Sequence, residues 1–221
     1  MPLWGAYTLS MATLDLARRA EIGREKRART RDAIIQSALD LIDARGFDGP
    51  TIDEFIGAAG VAKGTFYNHF KTKEELAVAA AAHVADAVDA VILNCFEGVD
   101  DPAQRVAIAV QQFIFIGKRR PAWGWVLVRT ATNVHGAWST GMFKGMQADI
   151  RSGQRLGRFH VASEQAALAI AMGALSMSIL RTLSGRTPAA FAEIVAAMLL
   201  QALGVSLEEA QRVASLPLPK G

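Results

Sequence analysis

Apolar residues recur at helical spacing in the first third of the chain and predict consecutive short helices. From Thr30 to Gly46 they follow a repeat of three and four residues, which places them on one face of a helix. The apolar positions of this helix are Ile34, Ile35, Ala38, Leu39 and Ile42. The stretch TIDEFIGAAGVAKGTFYNHFKTKEEL, residues 51–76, then predicts two helices joined by a glycine turn and the start of a third.

The boundaries of these helices are marked by capping residues. Thr51 is followed three residues later by Glu54, a capping box that starts a helix at about Ile52. Gly60 ends this helix where the backbone needs a left-handed conformation. Thr72 and Glu75 repeat the capping-box spacing, so we expect a long helix from about Lys73. The two short helices are therefore held by a tight turn.

The second short helix, over residues 62–69, has an apolar side and a small polar side. Phe66 and Phe70 fall on one side of it, and Gly64, Thr65 and Asn68 fall on the other. A polar side of small residues suits a helix that enters the major groove of DNA, because base edges must be approached closely. The pattern predicts a recognition helix.

This stretch resembles the DNA-binding helix-turn-helix of the tetracycline-repressor (TetR) family. The matching residues, in order, are Thr51, Ala59-Gly60-Val61, Gly64-Thr65-Phe66-Tyr67-Asn68-His69-Phe70 and Lys73-Glu74-Glu75-Leu76, preceded by Thr30-Arg31 and Gly46-Phe47. Two positions depart from the family pattern. Ile56 stands where the family usually has alanine, and Ala62 stands where a serine or threonine often caps the recognition helix, a loss of ~1 kcal/mol.

The motif assigns a set of DNA-binding residues. Lys63, Thr65, Asn68 and His69 are predicted to reach bases, with Gly64 leaving room for the DNA. The residues predicted to contact the phosphate backbone are Arg29, Thr51, Tyr67, Lys71 and Lys73. The resemblance implies a homodimer on a palindromic double-stranded operator, most often as a repressor released by a small molecule.

Beyond Leu76 the chain predicts further helices and few strands. Proline follows Asp101, Arg120 and Thr187, each time at or near a first helical turn. The predicted helices cover residues 73–97, 102–117, 121–134, 138–152, 163–183 and 188–203, with a short last one capped by Ser206. The sequence therefore predicts an all-α protein. Its expected parts are a flexible basic arm over residues 1–29, a three-helix helix-turn-helix domain over 30–76 and a larger helical effector-binding and dimerisation domain over 77–221.

Two late helices, 166–180 and 189–203, are apolar over most of their circumference, so they need cover on every side. One protomer can hardly cover both, although an intramolecular core is the alternative. The residues predicted to form a dimer interface are Leu168, Met172, Leu175, Ile179, Phe191, Ile194, Val195 and Met198. Pairing of the last two long helices into a four-helix bundle is what the resemblance implies.

The region between these helices and the motif is rich in large side chains, which suggests either an ordinary core or a pocket for a small, largely apolar effector. The residues predicted to line such a pocket are Phe113, Trp123, Trp125, His135, Trp138, Met142 and Met146. Filled packing would instead favour a DNA-binding regulator without a small-molecule ligand, acting constitutively or through a partner protein.

Charge and composition add detail. The net charge of +3 is too small to indicate nucleic acid, but seven basic residues against two acidic ones lie between Arg18 and Arg31. They form either a solvated tail or an arm that binds the DNA backbone. The single Cys95 fits a reducing compartment, and no secretory signal or sufficiently long uncharged span is evident, so we expect a cytoplasmic protein without membrane contact. No metal site, cofactor motif or catalytic motif is recognisable, so an enzyme is not expected.

Overall fold

The computed structural model describes residues 4–46, 49–131, 141–185 and 187–219, and the side chains within them except those of residues 4–17, 129–131 and 142. Within these ranges all regular structure is helical, which confirms the predicted all-α class. The helices are α1 (Trp4–Arg45), α2 (Ile52–Ala59), α3 (Lys63–His69), α4 (Lys73–Asn94), α5 (Pro102–Arg119), α6 (Pro121–Ala131), α7 (Gly141–Arg155), α8 (Glu164–Leu183), α9 (Phe191–Ala202) and α10 (Leu207–Ala214).

The first helix is much longer than its apolar pattern predicts. It begins at Trp4 rather than at Thr30, so the part of the expected arm from residue 4 to residue 29 is helical in the structure. Side chains 18–29 are all exposed, and they therefore left no apolar repeat by which a helix could be recognised. The helix is nevertheless favoured locally, because this segment is rich in alanine, arginine and glutamate, and Glu25 pairs with Arg29 one turn later at 3.2 Å.

Capping hydrogen bonds fix α2 as the sequence predicts. The amide of Glu54 donates to Thr51 Oγ1 at 3.4 Å, and the amide of Thr51 donates to Glu54 Oε2 at 2.7 Å. Gly60 ends the helix with φ +63°, where a residue with a Cβ atom would be strained. The side chain of Glu54 also accepts a hydrogen bond from Arg45 of α1. These bonds fix α2 against the end of α1.

At the start of α4 the capping box forms only in part. Thr72 Oγ1 accepts from the amide of Glu75 at 3.2 Å, as predicted. The carboxylate of Glu75 accepts from the amide of Lys71 at 2.6 Å, so the return bond goes to the residue before the cap. The connection between α3 and α4 is thereby held by the same glutamate. Ala62, at the start of α3, provides no side-chain cap.

The predicted domain boundary at residues 76 and 77 falls inside α4, which continues from the helix-turn-helix into the larger part of the protein. One continuous apolar core extends from Ile34 in α1 to Ala214 in α10. A polar contact also crosses the boundary, because the amide of Ala122, in the first turn of α6, donates to Asp43 of α1 at 2.9 Å. The helix-turn-helix is therefore attached to the larger part through α1 and α4.

Most predicted helices after residue 100 agree with the structure to within a few residues. An exception is α9, which begins at Phe191 rather than at Pro188 and lacks a side-chain cap. By length and composition alone, α4 and α8 are also long and apolar enough to cross a membrane. These two helices do not support the expectation that every span is too short to cross a membrane. The apolar character of α8 has another explanation, since its buried face packs against α5 and α6.

Candidate functional site

Helix α3 presents its predicted polar face at the surface. Phe66 and Phe70 are buried at 0% and 1% exposure, and they anchor the helix to the core. Asn68 and Gly64 are exposed, and Thr65 is partly exposed. The guanidinium group of Arg31 lies 5.1 Å from the centre of the Phe70 ring and covers the end of this anchor. The separation of apolar and polar sides that the sequence predicts is therefore present.

The three lysines of the motif have different partners. Lys63 Nζ donates to Asp53 Oδ1 at 3.0 Å, and this carboxylate raises the pKa of Lys63. Lys71 Nζ donates to the carbonyl oxygen of Tyr67 at 2.7 Å. Lys73 Nζ donates to the carbonyl oxygen of Pro50 at 2.8 Å. Lys63 and Lys71 thus lie at the exposed surface, whereas Lys73 is turned toward the loop before α2.

The middle of α1 lies beside α3, a contact that the sequence did not predict. Arg27 Nη2 donates to the carbonyl oxygen of Asn68 at 3.1 Å. An open groove runs between the two helices. Its side chains are Lys26, Arg27 and Thr30 from α1 and Thr65, Asn68 and His69 from α3. Basic side chains therefore border the recognition helix. The charge run was visible in the sequence, but its position depended on the unrecognised extension of α1.

His69 borders the same groove and keeps a neutral ring. Partial burial lowers its pKa, and the nearby Arg27 and Arg31 lower it further. A neutral imidazole carries one donor and one acceptor nitrogen, so at neutral pH His69 offers hydrogen bonds rather than charge.

The larger part of the protein contains a small cavity between α4, α5, α7 and α8, with a volume of about 90 Å³. Its apolar lining residues are Ile92, Leu93, Phe96, Ala109, Phe113, Met146 and Leu175. Two carboxylates, Asp89 of α4 and Asp149 of α7, complete the wall together with Gly141 and Gly145. The site is therefore mostly apolar with a few acceptor oxygens.

The predicted effector residues are only partly brought together here. Phe113 and Met146 line the cavity, whereas Trp123 and Trp125 of α6 do not. Trp123 lies under the guanidinium group of Arg120 at 4.2 Å, and Trp125 is 37% exposed. His135, Trp138 and the side chain of Met142 lie outside the described residues. Asp89, which lies on the apolar second half of α4, was not among the predicted residues.

The predicted dimer residues on α8 are buried in the core of the protomer. Leu168, Met172, Leu175 and Ile179 are 1 to 8% exposed. Ile179 packs against Gly117 of α5 and Gly124 of α6, where an added Cβ would lie 3.3 and 3.2 Å from its methyl group. A helix that is apolar all round does not reveal which side faces its own core.

Another face of the same helix pair is apolar and exposed. On α8 it contains Ile170 and Met177, at 53% and 58% exposure, and on α9 it contains Ile194 and Met198, at 47% and 64%. Ile194 and Met198 were among the predicted dimer residues, and Phe191 and Val195 beside them are partly buried. We call these four exposed residues the α8–α9 apolar face.

Two short helices joined by a tight turn, with the polar face of the second exposed, define a helix-turn-helix DNA-binding protein, and its larger helical part contains a cavity. Comparison with known families agrees. Residues 34–86 match the family described as bacterial regulatory proteins, tetR family, and residues 101–216 match the tetracyclin repressor-like C-terminal domain. The chain belongs to the TetR family and is a transcriptional regulator. Regulators of this family bind operator DNA and act as dimers.

Curated relatives match this chain over about a third of its length. The HTH-type transcriptional regulator TcmR of Streptomyces glaucescens is 36% identical over 64 residues, 29% of this chain and 28% of TcmR. The regulator LmrA of Bacillus subtilis is 31% identical over 78 residues, 35% of this chain and 42% of LmrA. The chain thus matches less than half the length of either relative.

A solved structure matches over nearly the whole chain. RolR in complex with resorcinol has a TM-score of 0.71 and 28% identity, covering 89% of this chain and 98% of RolR. The structure of RolR without ligand has a TM-score of 0.66 and 26% identity, covering 85% of this chain and 97% of RolR.

Proposed function

We propose that this regulator is a ligand-responsive repressor that binds a palindromic operator as a homodimer and is released by a small, largely apolar effector. The observation that carries the proposal is the course of α4. It begins at Lys73, beside the recognition helix, and reaches Asp89 in the cavity wall. A helix of 22 residues spans ~33 Å at 1.5 Å per residue, so one rigid element connects the two sites.

The operator contacts follow from the exposed surface of α3 and its neighbours. We assign Lys63, Thr65, Asn68 and His69 to base edges, and Gly64 to close approach of the DNA. Phosphate contacts are assigned to Arg29, Thr51, Tyr67, Lys71 and Lys73. Lys73 would have to give up its bond to Pro50 for this role. The basic side chains of α1 extend the phosphate-binding surface along the duplex.

We assign the dimer interface to the α8–α9 apolar face. Four large apolar side chains that are about half exposed on adjoining helices favour burial against an identical face. Such a dimer has to hold two recognition helices one DNA turn apart, ~34 Å.

Release of DNA follows from coupling between the cavity and the recognition helices. An effector that binds better to a conformation with a different separation of these helices shifts the dimer away from the operator. RolR, which has been solved with resorcinol, supports a small ligand in this fold. Coupling is reciprocal, so operator DNA must weaken effector binding by the same factor.

The experiment that tests the proposal is binding of the purified protein to its own upstream DNA across a salt series, with a scrambled duplex of equal length as the control. We expect the native duplex to bind at least ~1000-fold more tightly. Equal binding to both duplexes would mean that the operator lies elsewhere or that Ile56 and Ala62 have altered the recognition helix. Salt dependence alone decides nothing, because every basic protein shows it.

A regulator without a small-molecule ligand is the second candidate, and the small volume of the cavity, about 90 Å³, favours it. A titration of effector in the presence and absence of operator separates the two candidates. Equal effector affinities in both titrations would reject ligand-controlled release and support constitutive or partner-controlled binding.

A further inference from the structure

The cavity wall combines apolar side chains with two carboxylates, and this combination restricts what can bind. Asp149 is 6% exposed, and Arg105 Nε donates to its Oδ1 at 2.7 Å. Within the described part of the chain, Oδ2 of Asp149 accepts no hydrogen bond. Burial raises the pKa of Asp149 despite the neighbouring guanidinium group. A buried acceptor without a donor is costly, so a donor in the cavity would be stabilising.

Asp89 of α4 lies in the cavity wall, beside Gly141 of α7. A Cβ atom at position 141 would lie 2.3 Å from Asp89 Oδ2, so only glycine leaves room for this carboxylate in its observed position. The two acidic side chains therefore enter the cavity from two different helices, α4 and α7. The same cavity contains the aromatic rings of Phe96 and Phe113.

Size limits the ligand further. An apolar cavity of ~150 Å³ is known to admit benzene, so a cavity of about 90 Å³ can hold no more than one ring, and only after a small movement of its wall. Met146 provides such movement, because its unbranched side chain adapts to different shapes. Carboxylate oxygens accept hydrogen bonds, so donor groups on a ligand would be stabilised beside them.

We propose that this cavity binds a single aromatic ring that carries hydroxyl groups, and that these hydroxyls donate hydrogen bonds to Asp89 and Asp149. The apolar walls contact the ring faces. Arg105 holds Asp149 in place from the other side, with its guanidinium group 4.1 Å from the centre of the Phe96 ring. The inference rests on the proposed function only for its consequence, the release of DNA, since ligand binding can be measured in the absence of the operator.

The test is direct binding to the full-length protein without DNA, measured by calorimetry. The probes are catechol and hydroquinone, each paired with its dimethyl ether, which keeps the ring but cannot donate. Toluene and benzylamine complete the set. We expect the diols to bind at least ~10-fold more tightly than their ethers, because a hydrogen bond to a charged group is lost.

Substitutions show whether the two carboxylates are responsible for the preference for diols. Asp89→Asn and Asp149→Asn should each weaken diol binding by ~10-fold and leave toluene binding unchanged. Asp86→Asn removes an exposed carboxylate from the same helix and should change neither. Gly141→Ala should weaken diol binding, because the added methyl group displaces the Asp89 carboxylate. Asp89→Asn keeps the test valid if Asp149→Asn unfolds the protein by leaving Arg105 unpaired.

Three results would overturn the inference. They are equal binding of diols and their ethers, tighter binding of benzylamine than of either diol, and no binding of any diol. If the protein still distinguishes its operator from a scrambled duplex in such a case, the ligand class is wrong and the regulatory function stands. If the diols bind but leave operator binding unchanged, the cavity assignment holds and ligand-controlled release is rejected.

Discussion

Arg27 donates a hydrogen bond to the main-chain carbonyl oxygen of Asn68 at 3.1 Å and so joins the middle of α1 to the last turn of the recognition helix. This carbonyl lies near the negative end of α3, where a cation is favoured. The bond holds a basic helix beside the groove in which DNA would lie. We therefore expect the extension of α1 to act together with α3.

Replacing Arg27 by alanine should weaken binding to operator and scrambled duplex alike, because the contact positions phosphate-binding side chains and reads no base. The slope of log affinity against log salt should fall by about 1. Arg24→Ala removes the same charge from an exposed position of the same helix and is the matched control. If both variants weaken binding equally, the bond to Asn68 has no special role and only charge matters.

The ion pair between Lys63 and Asp53 gives a second prediction. Their side chains are 64% and 72% exposed, so the pair is weak and a base edge of bound DNA can compete with Asp53 for the lysine. Asp53→Asn should raise DNA affinity by ~2- to 5-fold, the range that an exposed ion pair allows. The measurement is a double-mutant cycle with Lys63→Ala. An equal gain in the Lys63→Ala background would show that Asp53 acts through general charge rather than through this pair.

The features of the helix-turn-helix that could be predicted from the sequence depend only on residues close together in the chain. Thr51 and Glu54 are three residues apart, and a capping box needs nothing beyond that spacing. Phe66 and Phe70 are one helical turn apart, so their common burial follows from helix geometry. The outer face of α3 could be assigned for the same reason.

The parts that could not be predicted depend on distant packing. Leu168 and Ile170 are both apolar residues of one helix, yet only Leu168 is buried in the protomer, because α5 and α6 cover that side. Likewise, Asp89 and Asp149 are 60 residues apart and meet one cavity only through the packing of α4 against α7. No local pattern contains that information.

The capping glutamate of α2 predicts a pH dependence. The Thr51 amide and the Arg45 guanidinium group lower the pKa of Glu54 from 4.5 to about 2. Because the folded-state pKa is lowered, this stabilisation is fully present above pH 4.5 and is lost as the pH falls toward 2. Glu54→Gln should therefore destabilise the protein near neutral pH, and its difference from the unmodified protein should shrink below pH 4.5.

Urea unfolding at a series of pH values measures this difference. Glu97→Gln changes an exposed glutamate in the turn after α4 and serves as the control. A Glu54→Gln difference that stays constant down to the acid limit of folding would show that the carboxylate charge does not stabilise α2.

Asn68 and Lys71 are assigned different roles, base recognition for Asn68 and phosphate binding for Lys71, and substitutions can distinguish them. The main-chain oxygen of Asn68 accepts a hydrogen bond from Arg27. The Asn68 side chain is exposed on the face of α3 assigned to the major groove. Asn68→Ala should therefore remove the preference at one base pair of each half-site, by ~1–3 kcal/mol, and leave binding to a scrambled duplex unchanged. Lys71→Ala should weaken every duplex alike.

A set of operators with one base pair changed at a time, in both half-sites symmetrically, distinguishes these outcomes. For Asn68→Ala the affinity profile should become flat at a single position and stay unchanged elsewhere. For Lys71→Ala the whole profile should shift without changing shape, because a phosphate contact carries no sequence information. A flattened position in the Lys71→Ala profile, together with a uniform shift for Asn68→Ala, would reverse the two assignments and move the base-reading surface of α3 toward its C-terminal end.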